Sequence, residues 1–321
     1  MNALVPLFRA LSPSGRRARL SILMFHRVLA TPDSLFPDLP DAIRFGEMLR
    51  WMKSWFNVLP LDHAVRQLAA GTLPDRAAAI TFDDGYADNY TVALPLLQEH
   101  QLTATFFIAT AFIDGGTMWN DTIIEAIRGC PRRTLDLDTI GMGQHCLTTQ
   151  QDRRSAIDAL LARIKYLPAP QRVALSARIA TIAGVAPPAH LMMSSHEVRE
   201  LRRAGMQIGA HTMSHPILTK LTRDEARAEI HGSRQRLEEL LGEPVNLFAY
   251  PNGRHGDDYG QEHASLVREM GFEAAVVTDP GAAGADSDLM QLPRFTPWDR
   301  SRLRFGGRLL VNLVHARGLA A

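Results

Sequence analysis

Short runs of consecutive apolar residues alternate along the chain with stretches in which apolar residues recur every three or four positions. The runs are four to six residues long, which is typical of strands that are buried on both faces of a sheet. The predicted strands are SILMF (21–25), AITF (79–82), ATFFIA (104–109), MQIGA (206–210), NLFAY (246–250) and AAVV (274–277). Regular alternation of strands and helices predicts an α/β fold with a parallel sheet, either open or closed into a barrel.

Two of the predicted helices have clear start signals. Ser194 and Glu197 have the spacing of a capping box at the start of one helix. Thr222 and Glu225 repeat that spacing at the start of another, which is expected to end at Gly242. No internal sequence repeat interrupts this pattern.

Residues 114 to about 193 depart from the alternation. They contain both cysteines, a polar loop, the helical stretch DRRSAIDALLARI and several prolines. We interpret this region as a largely helical insertion between two core strands, where it would form part of the rim of an active site. The predicted organisation is one domain over 20–297, with this insertion, followed by a basic amphipathic tail at 298–321.

The composition is that of a soluble globular protein. The chain has 321 residues, of which 46% are hydrophobic and 21% charged, and its net charge of +1 gives no general electrostatic reason to bind nucleic acid. The two cysteines, Cys130 and Cys146, are too few for a disulfide framework. We favour free thiols in a reducing compartment. A single disulfide in an exported protein is the alternative.

Both ends of the chain combine arginines with apolar residues. The first apolar run is short, contains Pro6 and is followed by Arg9 and further basic residues, so no secretory signal is predicted. No stretch has the length of a transmembrane helix. We therefore expect a cytoplasmic protein. Its basic ends either pack on the domain, which we favour, or lie on an anionic membrane, which would make a lipid-linked sugar a plausible substrate.

Two adjacent carboxylates, Asp83 and Asp84, follow the predicted strand at 79–82. In parallel α/β folds the carboxyl ends of the strands form the functional edge of the sheet. Successive side chains of an extended segment point in opposite directions, so these two carboxylates cannot easily share one role. Alternatively, one of them caps a turn and the other faces water.

Two histidines, His211 and His215, follow another predicted strand. A helical turn would place both imidazoles on one face, which suits two ligands of one metal ion. Thr212 stands where the zinc-protease motif has a glutamate, which excludes that motif. An aspartate from another strand end is the natural third ligand. A cation held in this way would also compensate the repulsion between Asp83 and Asp84.

Two further strand ends carry candidate residues. The segment FAYPNG (248–253) is a Pro-Asn-Gly turn when considered alone. His26 ends the first strand, where a single histidine is usually structural. Four such features at four strand ends are hard to explain as independent accidents.

The motifs TFDDG, HTMSHP and FAYPNG, in this order and on this alternation, resemble the polysaccharide deacetylase family with the NodB homology domain (carbohydrate esterase family 4). The resemblance covers roughly residues 20–296, and the insertion is only loosely matched. It implies a distorted (β/α) barrel of about seven parallel strands with a divalent metal at the carboxyl ends of the strands. Zinc is expected first, and cobalt, nickel or iron would also suit the ligands.

The resemblance assigns Asp84, His211 and His215 as metal ligands and Asp83 as the general base. The metal would polarise an acetyl carbonyl, Asp83 would take a proton from water, and a backbone N–H of the YPNG turn would stabilise the oxyanion. Residues expected to contact the substrate are Tyr250, Pro251, Asn252, Gly253 and Trp119, with Asn120 or Asp121 for sugar hydroxyls. Trp119 equally suits a role in packing the insertion onto the barrel.

The sequence departs from the family pattern at two places. Ala249 stands where many members have an arginine that orients the base, and our candidate replacement is Arg294, at the end of a last predicted strand. An ordinary surface salt bridge is the alternative for Arg294. The family's C-terminal general-acid motif, Leu-x-His, matches the sequence LVH at 313–315. This match lies in a basic, helical tail beyond the last predicted strand, which argues against it. Some members resemble a circular permutation that moves this histidine to the N-terminus, so His26 is preferred to His315.

The expected function is metal-dependent removal of an N-acetyl, or similar acyl, group from a sugar. The sugar would belong to a cell-surface polysaccharide or to its lipid-linked precursor. One alternative is hydrolysis of a non-sugar amide or cyclic imide on the same fold. Another is a non-catalytic carbohydrate-binding module, but the intact set of two aspartates and two histidines argues against it.

Overall fold

Parallel strands form one curved sheet at the centre of the computed structural model, which describes residues 4–186 and 188–314. The strands of this sheet are β1 (Leu20–Phe25), β2 (Asn57–Val58), β3 (Ala77–Phe82), β4 (Thr105–Ile108), β7 (Gln207–Ala210), β8 (Leu247–Ala249) and β9 (Ala274–Val276). Their order is β1-β3-β4-β7-β8-β9, and β2 pairs with the first residues of β3. All six strands predicted from the apolar runs are present, with small shifts of their ends.

An extended segment at 292–295 joins the two edges of the sheet. Leu292 pairs with Val276 of β9, and Phe295 pairs with Leu23 of β1, each through a single parallel bridge. The sheet therefore curls into the distorted barrel that was predicted. The segment itself was predicted to be a regular strand, and this is wrong: it makes isolated bridges, because it crosses between two edges instead of running along one.

Helices cover the outside of the sheet. They are α1 (Val5–Leu11), α2 (Ala42–Trp55), α3 (Leu61–Ala70), α4 (Leu94–Glu99), α5 (Trp119–Gly129), α6 (Gln150–Ile164), α7 (Ala169–Ala183), α8 (Ser195–Arg203), α9 (Arg223–Leu241), α10 (Gln261–Glu269) and α11 (Arg302–Val314). The two predicted capping boxes are present, at the start of α8 and of α9. Gly242 ends α9 in the left-handed conformation, as expected.

The side chains of β3 alternate between two apolar clusters. Ile80 and Phe82 pack with the surrounding helices, whereas Ala77 and Ala79 face the barrel interior. The same alternation directs Thr81 and the residue after the strand, Asp83, toward the interior. The small side chains on this inner face leave room for polar groups above them.

The predicted insertion is built from α5, α6, α7 and a hairpin of β5 (Thr134–Asp136) and β6 (Gln144–Cys146) around a cluster of its own. It is attached to the loop after β1, because Arg128 donates hydrogen bonds of 3.0 and 2.7 Å to the Asp33 carboxylate. Cys130 is buried, Cys146 is exposed, and both thiols are free. The domain boundaries given above remain predictions.

The two ends of the described chain pack on the barrel side by side. Phe8 of α1 and Phe305 of α11 are fully buried, and both rings contact Trp55. Arg19 donates a hydrogen bond to the carbonyl oxygen of Leu313, and Asn312 donates one of 2.8 Å to Gly281. None of the helices in the described ranges has the length and apolar character needed to cross a bilayer.

Candidate active site

Four strand ends place side chains around one cavity of about 330 Å³, here called the main cavity. Residues from the ends of β1, β3, β7 and β8 contribute to its wall, together with residues of the insertion. The predicted site residues that line it are His26, Asp83, Asp84, Asn120, Asp121, His211, His215 and Asn252.

A tight turn separates the two adjacent carboxylates. Asp84 has a φ of 76°, a left-handed conformation that few residues other than glycine adopt. Gly85 follows with a φ of 92°, and a β-carbon there would lie 3.1 Å from the Ile108 side chain. The turn ends the alternation of β3, so Asp83 stays in the barrel interior while Asp84 reaches the histidine pair at the rim.

The histidines are brought together by an irregular loop. The helical turn considered for 211–215 is absent, because Thr212 and His215 have φ angles of 62° and 54°. The Thr212 hydroxyl accepts a hydrogen bond of 3.2 Å from the His215 N–H. Glu229 of α9 accepts bonds from the N–H groups of Met213 (2.9 Å) and Ser214 (2.8 Å). No motif in the sequence indicates this carboxylate, which fixes the loop from outside the 211–215 segment.

Asp84, His211 and His215 could hold a metal ion. Nε2 of each histidine lies 3.4 Å from Oδ1 of Asp84, and one ligand atom from each residue lies within 4.8 Å of the others. Two ligands about 2.1 Å from a tetrahedral ion are about 3.4 Å apart, so these distances fit. Oδ1 of Asp84 is buried and has no hydrogen-bond partner among the described residues. A buried carboxylate oxygen without a donor needs a partner, and beside two imidazole nitrogens a cation meets that need.

The protonation of Asp84 and His215 suits this role. Burial would lower the pKa of His211, but the neighbouring carboxylates of Asp84 and Asp83 outweigh it and raise this pKa, so a bound cation would displace a proton from its Nε2. Nδ1 of His211 donates a 2.8 Å hydrogen bond to the carbonyl oxygen of Ala249, which leaves Nε2 to face Asp84. Burial lowers the pKa of His215 to about 4, so its imidazole is neutral at pH 7. Burial alone would raise the pKa of Asp84, but the imidazoles of His211 and His215 outweigh it and hold this pKa below its ordinary value.

Arg294 fixes the orientation of Asp83. Its guanidinium donates to both carboxylate oxygens, at 2.7 and 2.6 Å, and also to the Val277 carbonyl at 2.9 Å. Both side chains are buried. Burial would raise the pKa of Asp83, but the charge of Arg294 outweighs it, so the pKa is lowered and the carboxylate stays ionised. Arg294 thus contacts Asp83 directly, and its role as a substitute for the arginine expected at position 249 stays a prediction.

One backbone N–H of the 250–253 turn is free. The N–H of Tyr250 bonds to Val276 (3.2 Å) and that of Gly253 to Pro251 (2.6 Å), while Pro251 has no N–H. The N–H of Asn252 has no acceptor among the described residues, and Asn252 lines the main cavity. Gly253 makes the turn possible, since a β-carbon there would lie 3.0 Å from the Tyr250 oxygen.

The side chain of Tyr250 is not in the main cavity. It is fully buried, and its ring stacks on Tyr259 with centroids 4.2 Å apart. The expected contact between this side chain and a substrate is therefore corrected: the strand alternation turns the ring into the core. Pro251 and Gly253 are also buried and shape the turn.

The structure adds Tyr86 to the candidate residues and defines the surroundings of Asp121. The Tyr86 hydroxyl lies 3.1 and 3.0 Å from the two oxygens of Asp121, and both residues line the main cavity. Burial and the nearby charge of Asp84 raise the pKa of Asp121 to about 7. Tyr86 follows the DDG motif by one residue, so its proximity to the motif was the only signal that the sequence offered.

Trp119 lies in a second, adjoining hollow of about 250 Å³, here called the side hollow. The side hollow shares Asp84, Asn120, His215 and Asn252 with the main cavity. The ring of Trp119 also packs against the apolar cluster of the insertion. Both roles considered for this residue are therefore compatible with its position.

Known proteins share both the sequence pattern and the fold. The family model described as polysaccharide deacetylase matches residues 70–138 and 166–275. The chain is 22% identical over 279 residues to YxkH of Bacillus subtilis (strain 168), a protein named as a polysaccharide deacetylase. The match covers 86% of this chain and 71% of the relative.

Solved structures with low sequence identity have a similar fold. The Streptococcus pyogenes deacetylase PplD, determined in complex with acetate, is 18% identical and has a TM-score of 0.62, covering 92% of this chain and 98% of that one. IcaB from Ammonifex degensii is 17% identical with a TM-score of 0.59, covering 92% and 97%. Since the family model spans more than half of the residues, this chain belongs to the polysaccharide deacetylase family.

Proposed function

We propose that this chain is a divalent-metal-dependent hydrolase that removes an N-acetyl, or similar acyl, group from a sugar. The sugar would belong to a cell-surface polysaccharide or to its lipid-linked precursor. One observation carries the proposal: three metal-ligand side chains converge beside an ionised carboxylate that a buried arginine holds in place.

Asp84, His211 and His215 would hold the metal. One carboxylate and two imidazoles suit zinc, our first choice, and also cobalt, nickel or iron. When bound, the ion supplies Lewis acidity, which polarises an acyl carbonyl and makes water more acidic. Asp84 and the two histidines are three protein ligands, which leaves coordination positions for water and substrate.

Asp83 would act as the general base. Its lowered pKa keeps the carboxylate unprotonated at neutral pH, so it can accept a proton from the attacking water. The two hydrogen bonds from Arg294 fix the direction in which the carboxylate oxygens point. Arg294 therefore acts as a positioning residue.

Asn252 and His26 would complete the reaction. The free N–H of Asn252 would donate to the oxyanion that develops when water attacks the carbonyl. His26 lines the same cavity, and no described residue hydrogen-bonds its imidazole, so the ring is free to donate a proton to the departing amine. Its main-chain carbonyl is fixed by a 2.8 Å bond from Asn89.

We also propose that the outer face of α1 and α11 contacts an anionic membrane. Leu7, Leu303, Val311 and Val314 are more than half exposed on these helices, with Leu303 at 79%. Three nearby arginines are exposed and form no ion pair with any described residue: Arg16, Arg17 and Arg304. Exposed apolar and basic side chains on adjacent helices match the interface of an anionic bilayer.

Acetate release from a panel of N-acetylated sugars tests the hydrolase. The wild type, supplied with zinc, should release acetate from at least one class of glycan. Asp83→Asn, which keeps the size of the side chain but cannot accept the proton, should release it at least about 100-fold more slowly. A wild-type protein that binds the metal and hydrolyses none of the sugars, but cleaves cyclic imides, would support the alternative substrate.

A further inference from the structure

The wall of the side hollow includes two cations, Lys165 and Arg172, that form no salt bridge with any described carboxylate. The hollow opens between α5, α6 and α7, with Asp84, His215 and Asn252 at one end. Its other wall includes Trp119, Lys165 and Arg172. The reaction described above uses none of these last three residues, although they adjoin the centre where it would take place.

Arg172 is the less usual of the two cations. It is only 7% exposed, and its one hydrogen bond within the described chain runs from Nη1 to the Lys165 carbonyl, at 3.2 Å. Its Nε is buried and has no acceptor. The guanidinium carbon lies 5.4 Å from the centre of the Trp119 ring, which limits its orientation. Burial of an unpaired charge is costly, so such a group is expected to have a ligand.

The arginines of the main cavity are different, because each has a carboxylate partner. Arg27 bonds to Asp88 at 2.7 Å, and Arg128 bonds to Asp33 at 2.7 Å. Lys165, by contrast, is half-buried and forms no ion pair within residues 4–186 and 188–314. The acidic group of the side hollow, Asp84, already lies between His211 and His215. Arg172 thus has no carboxylate partner among the described residues, whereas the charge of Lys165 acts at longer range on the Asp258 carboxylate and its Nζ lies 5.3 Å from the centre of the Tyr166 ring.

We propose that Arg172 and Lys165 bind an anionic oxygen group of the substrate, either a phosphate or a carboxylate, beside the sugar that loses its acyl group. A guanidinium fork matches the oxygens of both groups, and a lysine adds a mobile point charge. Trp119 offers an apolar face to the sugar between them. This inference rests on the proposed function and deepens it: the substrate is an N-acetylated sugar with a negative charge nearby.

Two sources of that charge fit the same chemistry. A glycosyl phosphate is present in a lipid-linked precursor, and a carboxylate is present where a polysaccharide contains a uronic acid. Three probes separate them: N-acetylglucosamine 1-phosphate, a disaccharide of N-acetylglucosamine and glucuronic acid, and the uncharged methyl glycoside of N-acetylglucosamine.

Calorimetric titration of zinc-loaded Asp83→Asn protein with each probe tests the site without turnover. Adding Arg172→Gln should weaken binding of at least one anionic probe by about tenfold or more, and adding Lys165→Gln by a smaller factor, because charge-assisted bonds are lost. The affinity for the uncharged glycoside should change by less than about twofold in either variant. Arg172→Lys should retain part of the affinity. Whichever anionic probe loses more affinity identifies the source of the charge.

The matched control is Arg178→Gln, since Arg178 is exposed on the same helix and does not line the side hollow. Equal affinities in the Arg172 and Arg178 variants, for both anionic probes, would overturn the inference. If Arg172→Gln does not fold, the same comparison is made with Lys165→Gln, and equality with the control again overturns it. Binding that depends on Arg172 without acetate release from any sugar would support the anion site and contradict the proposed hydrolase.

Discussion

Arg294 donates two parallel hydrogen bonds to Asp83, from Nη1 to Oδ1 at 2.7 Å and from Nη2 to Oδ2 at 2.6 Å. The two residues are 211 positions apart in the chain and meet inside the barrel, because the 292–295 segment closes the gap between β9 and β1. A paired arrangement of this kind holds a carboxylate more rigidly than a single bond does. If Arg294 orients the base, as predicted, no arginine is needed for that purpose at position 249.

Replacing Arg294 with methionine should reduce turnover much more than metal affinity. We expect kcat to fall by about 100-fold, because the base loses its fixed orientation, and the metal dissociation constant to change by less than about threefold. Arg294→Lys keeps the positive charge but loses the paired hydrogen bonds of the guanidinium, so its kcat should lie between those of the wild type and Arg294→Met. Acetate release and zinc titration measure the two quantities.

The free energy of unfolding of these variants must be measured together with their activity. In Arg294→Met, Asp83 would become a buried, unpaired charge, at a cost of about 3–5 kcal/mol. Urea unfolding shows whether the protein is folded under assay conditions. An unchanged kcat in folded Arg294→Met protein would contradict the positioning role.

His26→Ala should lose activity, whereas His315→Ala should keep it. Loss of a general acid slows such reactions by about 100-fold to 10,000-fold. His26 lines the main cavity, and His315 lies outside the described residues. Both variants are assayed with the same sugar at neutral pH. Loss of activity in the His315 variant alone would reverse the assignment.

The raised pKa of Asp121 has a consequence for stability. Between its ordinary value of 3.8 and about 7, the folded chain holds a proton on this carboxyl that the unfolded chain has released. Its contribution to the free energy of unfolding therefore falls as the pH rises through this window. Relative to Asp121→Asn, the wild type, with both proteins free of metal so that Asp84 keeps its charge, should lose on the order of 2 kcal/mol between pH 5 and pH 8.

Urea unfolding of both proteins at several pH values measures this difference. Comparison with the asparagine variant removes the contributions of other titrating groups, which are common to both. A difference in unfolding free energy that stays constant with pH would show that Asp121 does not titrate in this range.

The outer face of α11 should bind anionic vesicles. Full-length protein is expected to sediment with vesicles of phosphatidylcholine and phosphatidylglycerol, and less with phosphatidylcholine alone. Combined Leu303→Gln, Val311→Gln and Val314→Gln changes should reduce binding by about tenfold or more. Val173→Gln is the control, because Val173 is 60% exposed on the insertion, comparable to Val311 at 55%.

Removal of α11 altogether, in a chain ending at Pro297, is a less specific variant, since Phe305 covers Trp55. Equal sedimentation of the triple variant and the wild type would rule out this face as the contact. A dimer that the triple variant disrupts, without vesicle binding by either protein, would indicate instead that a second copy of the chain covers it.

Local patterns in the sequence were sufficient to predict most of the barrel. The apolar runs correspond to six strands, because a parallel strand that is buried on both faces is apolar along most of its length. The capping boxes marked α8 and α9 correctly, since a cap depends on residues three positions apart. The strand β2 was missed: two half-buried residues, Asn57 and Val58, produce no recognisable run.

The candidate site was predictable where it depends on motifs, and less so where it depends on tertiary contacts. Asp83, Asp84, His211 and His215 come from ordered motifs at strand ends. The conformation of the 211–215 loop depends on Thr212 and on Glu229 of a distant helix, which no local pattern indicates. Arg172 forms no ion pair with any described carboxylate, and only the folded chain reveals this, because it depends on which distant residues surround the guanidinium.

Metal stoichiometry measured together with turnover tests the central claim most directly. Purified wild-type protein, stripped with a chelator and reloaded with zinc, should bind one ion per chain and recover acetate release. Asp84→Asn should lose most of the metal and the activity, because one of three ligands is weakened, whereas Asp83→Asn should keep the metal and lose the activity. A wild-type chain that binds no divalent ion, or an Asp83→Asn protein that turns over normally, would contradict the account.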